Sequence, residues 1–193
     1  MLNPTMTYSC GIFDTDQSTL EEASLAKYDR IIDQLKIEPH HKILEIGCGW
    51  GGFAQRLAEK TEAHLTATTI SHSQFEYARN RLADHSQVEV IQEDYRNLSG
   101  TFDRIVSIEM IEAVGHEYLP TYFSKISQLL AKDGAAMIQG ITMPDHRYGQ
   151  YLKEVDYIRT RVFPGSCVPS ASAMIAAAVK KSDLPPPGLT DFG

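Results

Sequence analysis

An acidic residue followed by closely spaced glycines marks the part of this chain best suited to bind a charged ligand. The run Glu45-Ile46-Gly47-Cys48-Gly49-Trp50-Gly51 separates a short apolar segment from residues with helical spacing. Glycines at such a junction permit a tight turn and let the backbone approach a ligand closely. The carboxylate of Glu45 can meet a cationic group on that ligand. A generic tight turn remains the alternative interpretation of these glycines.

The same glycines also fit the pattern G-x-G-x-x-G, through Gly47, Gly49 and Gly52. Dinucleotide enzymes and S-adenosylmethionine enzymes share this pattern. A dinucleotide enzyme places an acid about 20 residues further on, at the end of the second strand. Here the corresponding segment ends in Thr68 and Thr69, and the acid stands before the first glycine instead. That arrangement is typical of methyltransferases that use S-adenosylmethionine.

Short apolar segments alternate with amphipathic segments along most of the chain. This order predicts a parallel α/β sheet with helices on both faces. The predicted strands are 42–46, 64–69, 88–91, 102–108 and 135–139. The predicted helices are 19–36, a helix from 53, 71–83, 118–130, 148–162 and 172–181.

Local signals mark several ends of these elements. Capping boxes are predicted for Ser18 with Glu21, for Thr19 with Glu22 and for Ser71 with Gln74. The dipeptide 133–134, Asp-Gly, is expected to end the fourth helix, and the Pro-Pro-Pro-Gly run at 185–188 excludes helix or central strand there.

The composition is that of a globular protein, with 42% hydrophobic and 22% charged residues and a formal net charge of −7. This acidity predicts no nucleic-acid partner, and any membrane contact would need a local patch. Three cysteines without a Cys-x-x-Cys pair argue against structural zinc and fit a reducing cytoplasm. His40 and His41 are interpreted as a solvent-facing turn without ligand partners, so no metal is expected. The first residues lack the charged and apolar regions of a signal peptide, and no run of about 18 apolar residues occurs, so we expect a soluble, unprocessed chain.

Four blocks of the sequence resemble the cyclopropane-fatty-acid synthases, a group that includes the mycolic acid cyclopropane synthases. In chain order the blocks are 6–10, 44–52, 103–115, and 157–158 together with 163–170. The glycine loop in the second block would by itself indicate only a methyltransferase. The Tyr-Ser-Cys entry and the Phe-Pro-Gly-Ser-Cys-Val-Pro block make the resemblance specific.

The resemblance implies an α/β fold with a doubly wound, Rossmann-like class I methyltransferase sheet. It implies one domain over 1–193: an irregular cofactor-covering segment (1–17), the Rossmann-like core (18–143), a helical substrate-side insertion (144–184) and a proline-rich end (185–193). Full-length bacterial members are much longer. We therefore expect a truncated core fragment that lacks the last strands of the sheet.

Members of this group transfer a methylene from S-adenosylmethionine to the cis double bond of an unsaturated fatty acyl chain, which yields a cyclopropane ring. Bacterial members act on phospholipids already in the membrane. The resemblance thus implies S-adenosylmethionine as cofactor, an unsaturated phospholipid or fatty acyl substrate, a cytoplasmic location and peripheral contact with the inner face of the membrane.

The resemblance also assigns the residues around the methionine end of the cofactor. Tyr8 and Ser9 would close over it. The acid and the glycine loop would hold it, through Glu45, Gly47, Cys48 and Gly49.

The residues expected around the ribose and the adenine lie at the ends of two predicted strands and in the segments that follow them. Thr69 and Gln74 would take the ribose in place of the usual acid, and Asp94, Tyr95 and Arg96 would border the adenine.

Four of the expected cofactor residues have an alternative interpretation, and for Tyr8 it is an aromatic side chain at the edge of the core. Gln74 completes a capping box, Asp94 is also explained as a solvated loop acid, and an exposed arginine is the default reading of Arg96.

Methyl transfer to an alkene leaves a carbocation on the acyl chain, so water must be excluded and a base must remove a proton before the ring closes. In the family a bound bicarbonate is this base, and Cys10, Glu112 and Ile141 match positions in its site. Gln139 stands where many bacterial members have His, and it can donate a hydrogen bond but cannot carry a proton. These four residues form the expected catalytic set, although Glu112 could also be a surface carboxylate at a helix start.

Three functions stay open at this point. The first is a cyclopropane synthase acting on acyl lipid. The second, motivated by Gln139, is an acyl-chain methyltransferase that does not close the ring. The third is a cofactor- or lipid-binding fragment without catalysis.

Overall fold

The computed structural model describes residues 3–155, 157–185 and 188–191. Within this part, the chain divides into two compact units. The first contains residues 3–107 and 129–137, and the second contains 108–128 and 138–191. The predicted end segment 185–193 lies partly outside the described residues, as do the first two residues of the predicted entry segment.

The first unit is built on a five-stranded sheet with the order β3-β2-β1-β4-β5. The strands are β1 (Lys42–Ile46), β2 (His64–Thr69), β3 (Val88–Gln92), β4 (Phe102–Ile108) and β5 (Leu130–Gln139). β1 pairs in parallel with β2 and β4, and β2 pairs in parallel with β3. Because parallel strands end at one edge, the loops that follow β1, β2 and β3 lie side by side.

Three helices belong to the first unit: α1 (Leu20–Gln34), α2 (Gly52–Lys60) and α3 (His72–Arg81). α1 packs against α2, while α2 and α3 pack on β2. The hydrophobic positions of β1 and α2 are buried, among them Ile43, Leu44, Phe53 and Leu57. The first four predicted strands and the three predicted helices of this unit are therefore confirmed, with ends that differ by a few residues, whereas the fifth strand begins earlier than predicted.

The N-terminal segment has no regular structure in its described part, yet it is fastened to the helices of the first unit. The Thr7 hydroxyl lies 2.6 Å from that of Tyr28 on α1. A Cβ added to Gly11 would lie 2.7 Å from the Ala23 Cβ, so only glycine allows the segment to pass this close to α1. The Arg81 guanidinium of α3 donates to the Thr5 carbonyl at 2.9 Å. The segment is thus held in a defined path.

The second unit carries α4 (Leu119–Leu129), α5 (Asp145–Tyr151) and α6 (Ala171–Lys181). Two 3₁₀ turns, Ile111–Ala113 and His116–Tyr118, precede α4. α5 packs against α6. None of the helices in the described part of the chain has the length and apolar character that a membrane span requires.

Two sequence predictions in this region are wrong. The helix predicted over 148–162 is interrupted: α5 ends at Tyr151 and a separate π-helical turn covers Ile158–Val162. The Arg159 guanidinium donates to the carbonyls of Tyr151 and Glu154, at 3.0 and 2.6 Å, and so satisfies oxygens that a continuous helix would pair. Asp156 lies outside the described residues.

The second error concerns the dipeptide Asp133-Gly134, which lies within β5 and does not end a helix. α4 ends earlier, at Leu129, and β5 begins at Leu130 instead of 135. A Cβ on Gly134 would lie 2.9 Å from Leu130 Cδ1. The absence of a side chain at Gly134 allows the Leu130 side chain to pack this close to the backbone.

Candidate active site

The glycine loop after β1 adopts a backbone that most residues avoid. The φ angles of Gly47, Gly49 and Gly51 are +82°, +54° and +79°. The N–H groups of Gly47 and Cys48 both donate to the Thr68 carbonyl, at 3.0 and 2.7 Å. These bonds hold the start of the loop against the end of β2, at the edge of the sheet where the parallel strands end.

Glu45 lies buried in β1, just before this loop, with 2% of its surface exposed. Among the described residues, none forms a hydrogen bond with its Oε2 atom. Burial raises the pKa of Glu45 to about 8, because an unpaired carboxylate is poorly solvated there. The same burial, together with the charge of Glu45, raises the pKa of the neighbouring Cys48 thiol. In the described part of the chain, this buried oxygen therefore has no cationic partner, and a ligand with a cationic group would satisfy it.

Tyr8 lies across the glycine loop. A Cβ added to Gly49 would lie 3.3 Å from Tyr8 Cε1, so the ring rests on the backbone of that glycine. The tyrosine is 57% exposed, and its hydroxyl accepts a hydrogen bond from Gln74 Nε2 at 3.2 Å. The structure places Tyr8 beside the glycine loop, and its predicted role of closing over the cofactor stays a prediction.

Gln74 joins two of the predicted cofactor residues. Its Oε1 accepts from the Thr69 hydroxyl at 2.7 Å, while its Nε2 donates to Tyr8. The capping box predicted for Ser71 and Gln74 is only half present, because Ser71 accepts from the Gln74 N–H but the Gln74 side chain points to Thr69 and Tyr8. This orientation favours the site interpretation of Gln74 over the capping one.

Asp94, Tyr95 and Arg96 lie after β3, in a 3₁₀ turn that Asp94 caps. Both carboxylate oxygens of Asp94 accept from the Arg96 guanidinium, one of them from Nε at 2.9 Å. This contact lowers the pKa of the Asp94 carboxyl, whereas burial raises that of the Tyr95 hydroxyl. The acid and the arginine thus engage each other, and their predicted contact with adenine is untested.

Sequence reasoning missed the residues that hold the N-terminal segment. Lys27 on α1 is fully buried and donates to the Ser9 hydroxyl and, at 2.7 Å, to the Cys10 carbonyl. One signal was available: positions 23, 27 and 31 are spaced as one helix face, so a lysine at 27 stands in a core position. Arg81 offered no comparable signal.

The second unit contains Glu112, Gln139 and Ile141, whereas Cys10 belongs to the first unit. Glu112 Oε1 accepts a hydrogen bond from the Ile141 N–H. Its Oε2 is buried, and no described residue forms a hydrogen bond with it. Burial, together with the charge of Glu109, raises the pKa of Glu112 against the effect of the Ile141 bond. Glu112 is therefore a partly buried acid in the first turn of a 3₁₀ helix, so the alternative interpretation is right about the helix start but not about a fully exposed side chain.

Gln139 is buried and held by a residue that the sequence did not single out. Its side-chain Nε2 donates to Glu109 Oε1 at 3.0 Å. Its main-chain carbonyl accepts from the Glu109 N–H at 2.8 Å. Glu109 has a φ of +49°, unusual for a residue other than glycine. The strained backbone and the paired amide fix the end of β5 beside the turn that carries Glu112.

The expectation for His40 and His41 is wrong in two respects. His41 is buried, and its Nδ1 accepts from the Glu38 N–H at 3.0 Å. The Glu38 carboxylate lies 3.5 Å from His40 Nδ1, so an acid does stand near the pair. These three side chains offer ligand atoms within 4.8 Å of one another. One His41 nitrogen already serves the backbone, however, and we assign the turn no metal role.

Solved structures with the same fold define the class of the protein. The first unit has the strand order and glycine loop of class I S-adenosylmethionine-dependent methyltransferases. Coclaurine N-methyltransferase bound to N-methylheliamine and S-adenosylhomocysteine superposes with a TM-score of 0.73 at 25% identity, over 94% of this chain and 55% of that one. Mycolic acid cyclopropane synthase CmaA1, complexed with S-adenosylhomocysteine and CTAB, gives a TM-score of 0.84 at 31% identity, over 93% and 67%.

The sequence matches the family model described as mycolic acid cyclopropane synthetase over residues 1–185, and the chain belongs to that family. Tuberculostearic acid methyltransferase UfaA1 of Mycobacterium tuberculosis is 40% identical over 185 residues, which cover 90% of this chain and 43% of that protein. Cyclopropane-fatty-acyl-phospholipid synthase of Escherichia coli is 35% identical over 173 residues, covering 88% and 43%. The chain thus spans less than half the length of these two relatives.

Proposed function

We propose that this chain binds S-adenosylmethionine through its first unit and transfers the methyl group to an unsaturated fatty acyl chain, with a cyclopropane as the product. The observation that carries the proposal is the buried, unpaired oxygen of Glu45 beside an open glycine loop. A cationic amino group is the partner that this oxygen requires. The residues present therefore fit the methionine end of the cofactor.

The remaining cofactor contacts follow from the same unit. Tyr8 rests on Gly49 and is tethered to Gln74, so it can cover a ligand that lies on the loop. Thr69 at the end of β2 provides a hydroxyl and Gln74 in the first turn of α3 provides an amide, and these groups would recognise a ribose hydroxyl. When bound, S-adenosylmethionine supplies an electrophilic methyl group.

Glu112 is our candidate for the proton-transfer step. An alkene that accepts a methyl group becomes a cation, and the ring forms only when a proton leaves the new methyl group. Burial raises the pKa of Glu112, so this carboxyl can accept and hold the proton that leaves the methyl group. Alternatively, it can form a hydrogen bond with a second group that accepts the proton. Its unpaired Oε2 fits a hydrogen bond to bicarbonate, the base implied for the family, and Ile141 holds the opposite oxygen in place.

A second candidate is methylation of the acyl chain without ring closure. It is favoured by Gln139, whose amide is engaged by Glu109 and cannot carry a proton. The similarity to a tuberculostearic acid methyltransferase, at 40% identity, also supports it. Both candidates share the cofactor, the acyl substrate and the first bond formed, and they differ in how the cation is resolved.

The proposed substrate is an unsaturated phospholipid or fatty acyl chain, so we also propose peripheral contact with a membrane. The support is the E. coli relative, which is named a fatty-acyl-phospholipid synthase, and the CTAB in the CmaA1 complex.

The role of Glu112 is tested by Glu112→Gln, with Glu117→Gln, an exposed acid five residues along, as the matched control. We expect Glu112→Gln to lower turnover of cis-unsaturated phospholipid vesicles by about 10²-fold or more, while calorimetry gives unchanged affinity for S-adenosylhomocysteine. The control should retain full turnover. Equal turnover in the two variants would contradict the assignment.

A further inference from the structure

Lys27 is a charged residue in a position where an α-helix normally places an apolar side chain. It lies on α1 between Ala23 and Ile31, both buried, and none of its own surface is exposed. Lysine is almost never buried to this extent unless its ammonium group is engaged, because removing the charge from water is costly. The position therefore needs an explanation beyond core packing.

The contacts of Lys27 lead to the N-terminal segment. Its Nζ donates to the Ser9 hydroxyl and to the Cys10 carbonyl, the latter at 2.7 Å. The same nitrogen lies 4.9 Å from the centre of the Tyr28 ring, and the Tyr28 hydroxyl meets that of Thr7. Two adjacent residues of α1 thus fix the backbone and side chains on both sides of Tyr8.

The bond from Lys27 determines what Ser9 can offer a ligand. A hydroxyl that accepts a hydrogen bond from an ammonium group keeps its own hydrogen for donation elsewhere. In the described part of the chain, no acceptor for that hydrogen is observed at Ser9, which is half-buried. Ser9 is therefore prepared as a donor with a positive charge directly behind it, and such a donor prefers an anionic acceptor.

We propose that Lys27 is a positioning residue that orients Ser9 to bind the carboxylate of the cofactor's methionine moiety. The inference rests on the proposed binding of S-adenosylmethionine by the first unit. Glu45 would take the amino group of the same zwitterion and Ser9, backed by Lys27, would take the carboxylate. The two charged residues then select ligands that carry an intact amino acid.

The experiment compares two ligands that differ in this amino acid. S-adenosylhomocysteine carries it, and 5′-methylthioadenosine lacks both the amino group and the carboxylate. Calorimetry gives the ratio of the two affinities for the wild-type chain, for Lys27→Met and for Ser9→Ala. Lys42→Met, at an exposed lysine of β1, is the matched control. Ser9→Ala keeps the buried ammonium, so it tests the proposal even where Lys27→Met folds poorly.

We expect Lys27→Met and Ser9→Ala each to reduce the affinity ratio by about tenfold or more, since a hydrogen bond to a charged group is lost. The effect of the double variant should be smaller than the product of the two single effects. The control should keep the wild-type ratio. Equal weakening of both ligands, or an unchanged ratio, would show that Lys27 only supports the fold and would overturn the proposal. A wild-type chain that binds neither ligand would instead contradict the proposed function itself.

Discussion

Under the proposed function, Glu45 should change its protonation state when a cationic ligand binds, and this change can be measured. Its pKa of about 8 in the free chain means that the carboxyl is mostly protonated at neutral pH. A cofactor ammonium beside its unpaired oxygen would favour the ionised form, so the proton must leave on binding. Affinity for the cofactor is therefore linked to pH.

The sign of this linkage gives a prediction. Below about pH 8, the free chain must lose the Glu45 proton in order to bind, so affinity for S-adenosylhomocysteine should rise from pH 6 to pH 8, by up to about tenfold per pH unit. Glu45→Gln should bind more weakly at pH 8 and lose most of this dependence. Calorimetric titrations across the pH range provide the measurement, and a wild-type affinity that falls toward pH 8 would contradict the account.

Gly49 is a position at which one added side-chain atom should disturb both the backbone and the neighbouring Tyr8 ring. Its φ of +54° disfavours any side chain, and an added Cβ would lie 3.3 Å from the Tyr8 ring. We expect Gly49→Ala to lower the free energy of unfolding by about 1 kcal/mol and to weaken S-adenosylhomocysteine binding, because Tyr8 must move.

Gly149→Ala provides the matched control for this change. Gly149 lies in α5, and a Cβ added there meets nothing within 4 Å. Alanine should be neutral or stabilising by up to about 1 kcal/mol at this helical position. Urea denaturation of both variants distinguishes backbone strain from a general effect of the extra methyl group. Equal stability of the two variants would contradict the interpretation.

Among the helices and strands, the start of α1 shows which of two candidate N-cap residues the helix uses. Two overlapping capping boxes are predicted, and the structure uses the one in which the Thr19 hydroxyl accepts from the Glu22 N–H and the Glu22 carboxylate accepts from the Thr19 N–H. Ser18 bonds instead to the backbone of Thr15. Because α1 carries Lys27 and Tyr28, its first turn also supports the N-terminal segment.

We expect Thr19→Ala to destabilise the chain by about 1 kcal/mol, and Ser18→Ala to cost less. Thermal or urea unfolding of the two variants gives the comparison. A larger loss at Ser18 would mean that the other capping box is used.

The sequence predicted the sheet of the first unit well because each of its strands is a short apolar run followed by a polar or glycine-rich loop. The strands at 42–46, 64–69 and 102–108 coincide with β1, β2 and β4. The local sequence pattern failed to predict the structure where a side chain from another position determines the backbone conformation. The guanidinium of Arg159 ends α5 early, and the side chain of Leu130 uses Gly134 inside a strand.

The site was predictable where a motif fixes the backbone, as in the glycine loop with Glu45. It was not predictable where residues meet through the fold. Lys27 reaches Ser9 across 18 positions, and Gln74 reaches Tyr8 across 66. A local sequence pattern does not predict contacts between residues so far apart. A lysine on an apolar helix face does, however, indicate that its ammonium group has a partner elsewhere in the fold.

Over the whole molecule, each compact unit has its own candidate functional residues. Glu45, Tyr8 and Gln74 belong to the first unit, and Glu112 and Gln139 to the second. Each unit contains a buried glutamate oxygen without a hydrogen-bond partner among the described residues, at Glu45 and at Glu112. An unsatisfied carboxylate costs stability, and this cost supports the proposal that both glutamates bind ligands.

The most direct test of the proposed function is to incubate this chain with S-adenosylmethionine labelled as CD₃ on the transferred methyl group and with vesicles of a cis-monounsaturated phospholipid. Mass spectrometry and NMR of the recovered acyl chains then report both the carbon–carbon bonds formed and the deuteron lost from the transferred methyl group. The account predicts that the acyl chain gains one CD₂ group and shows cyclopropane carbon signals. Label found only on oxygen or nitrogen of the lipid, or no label in the lipid at all, would contradict it.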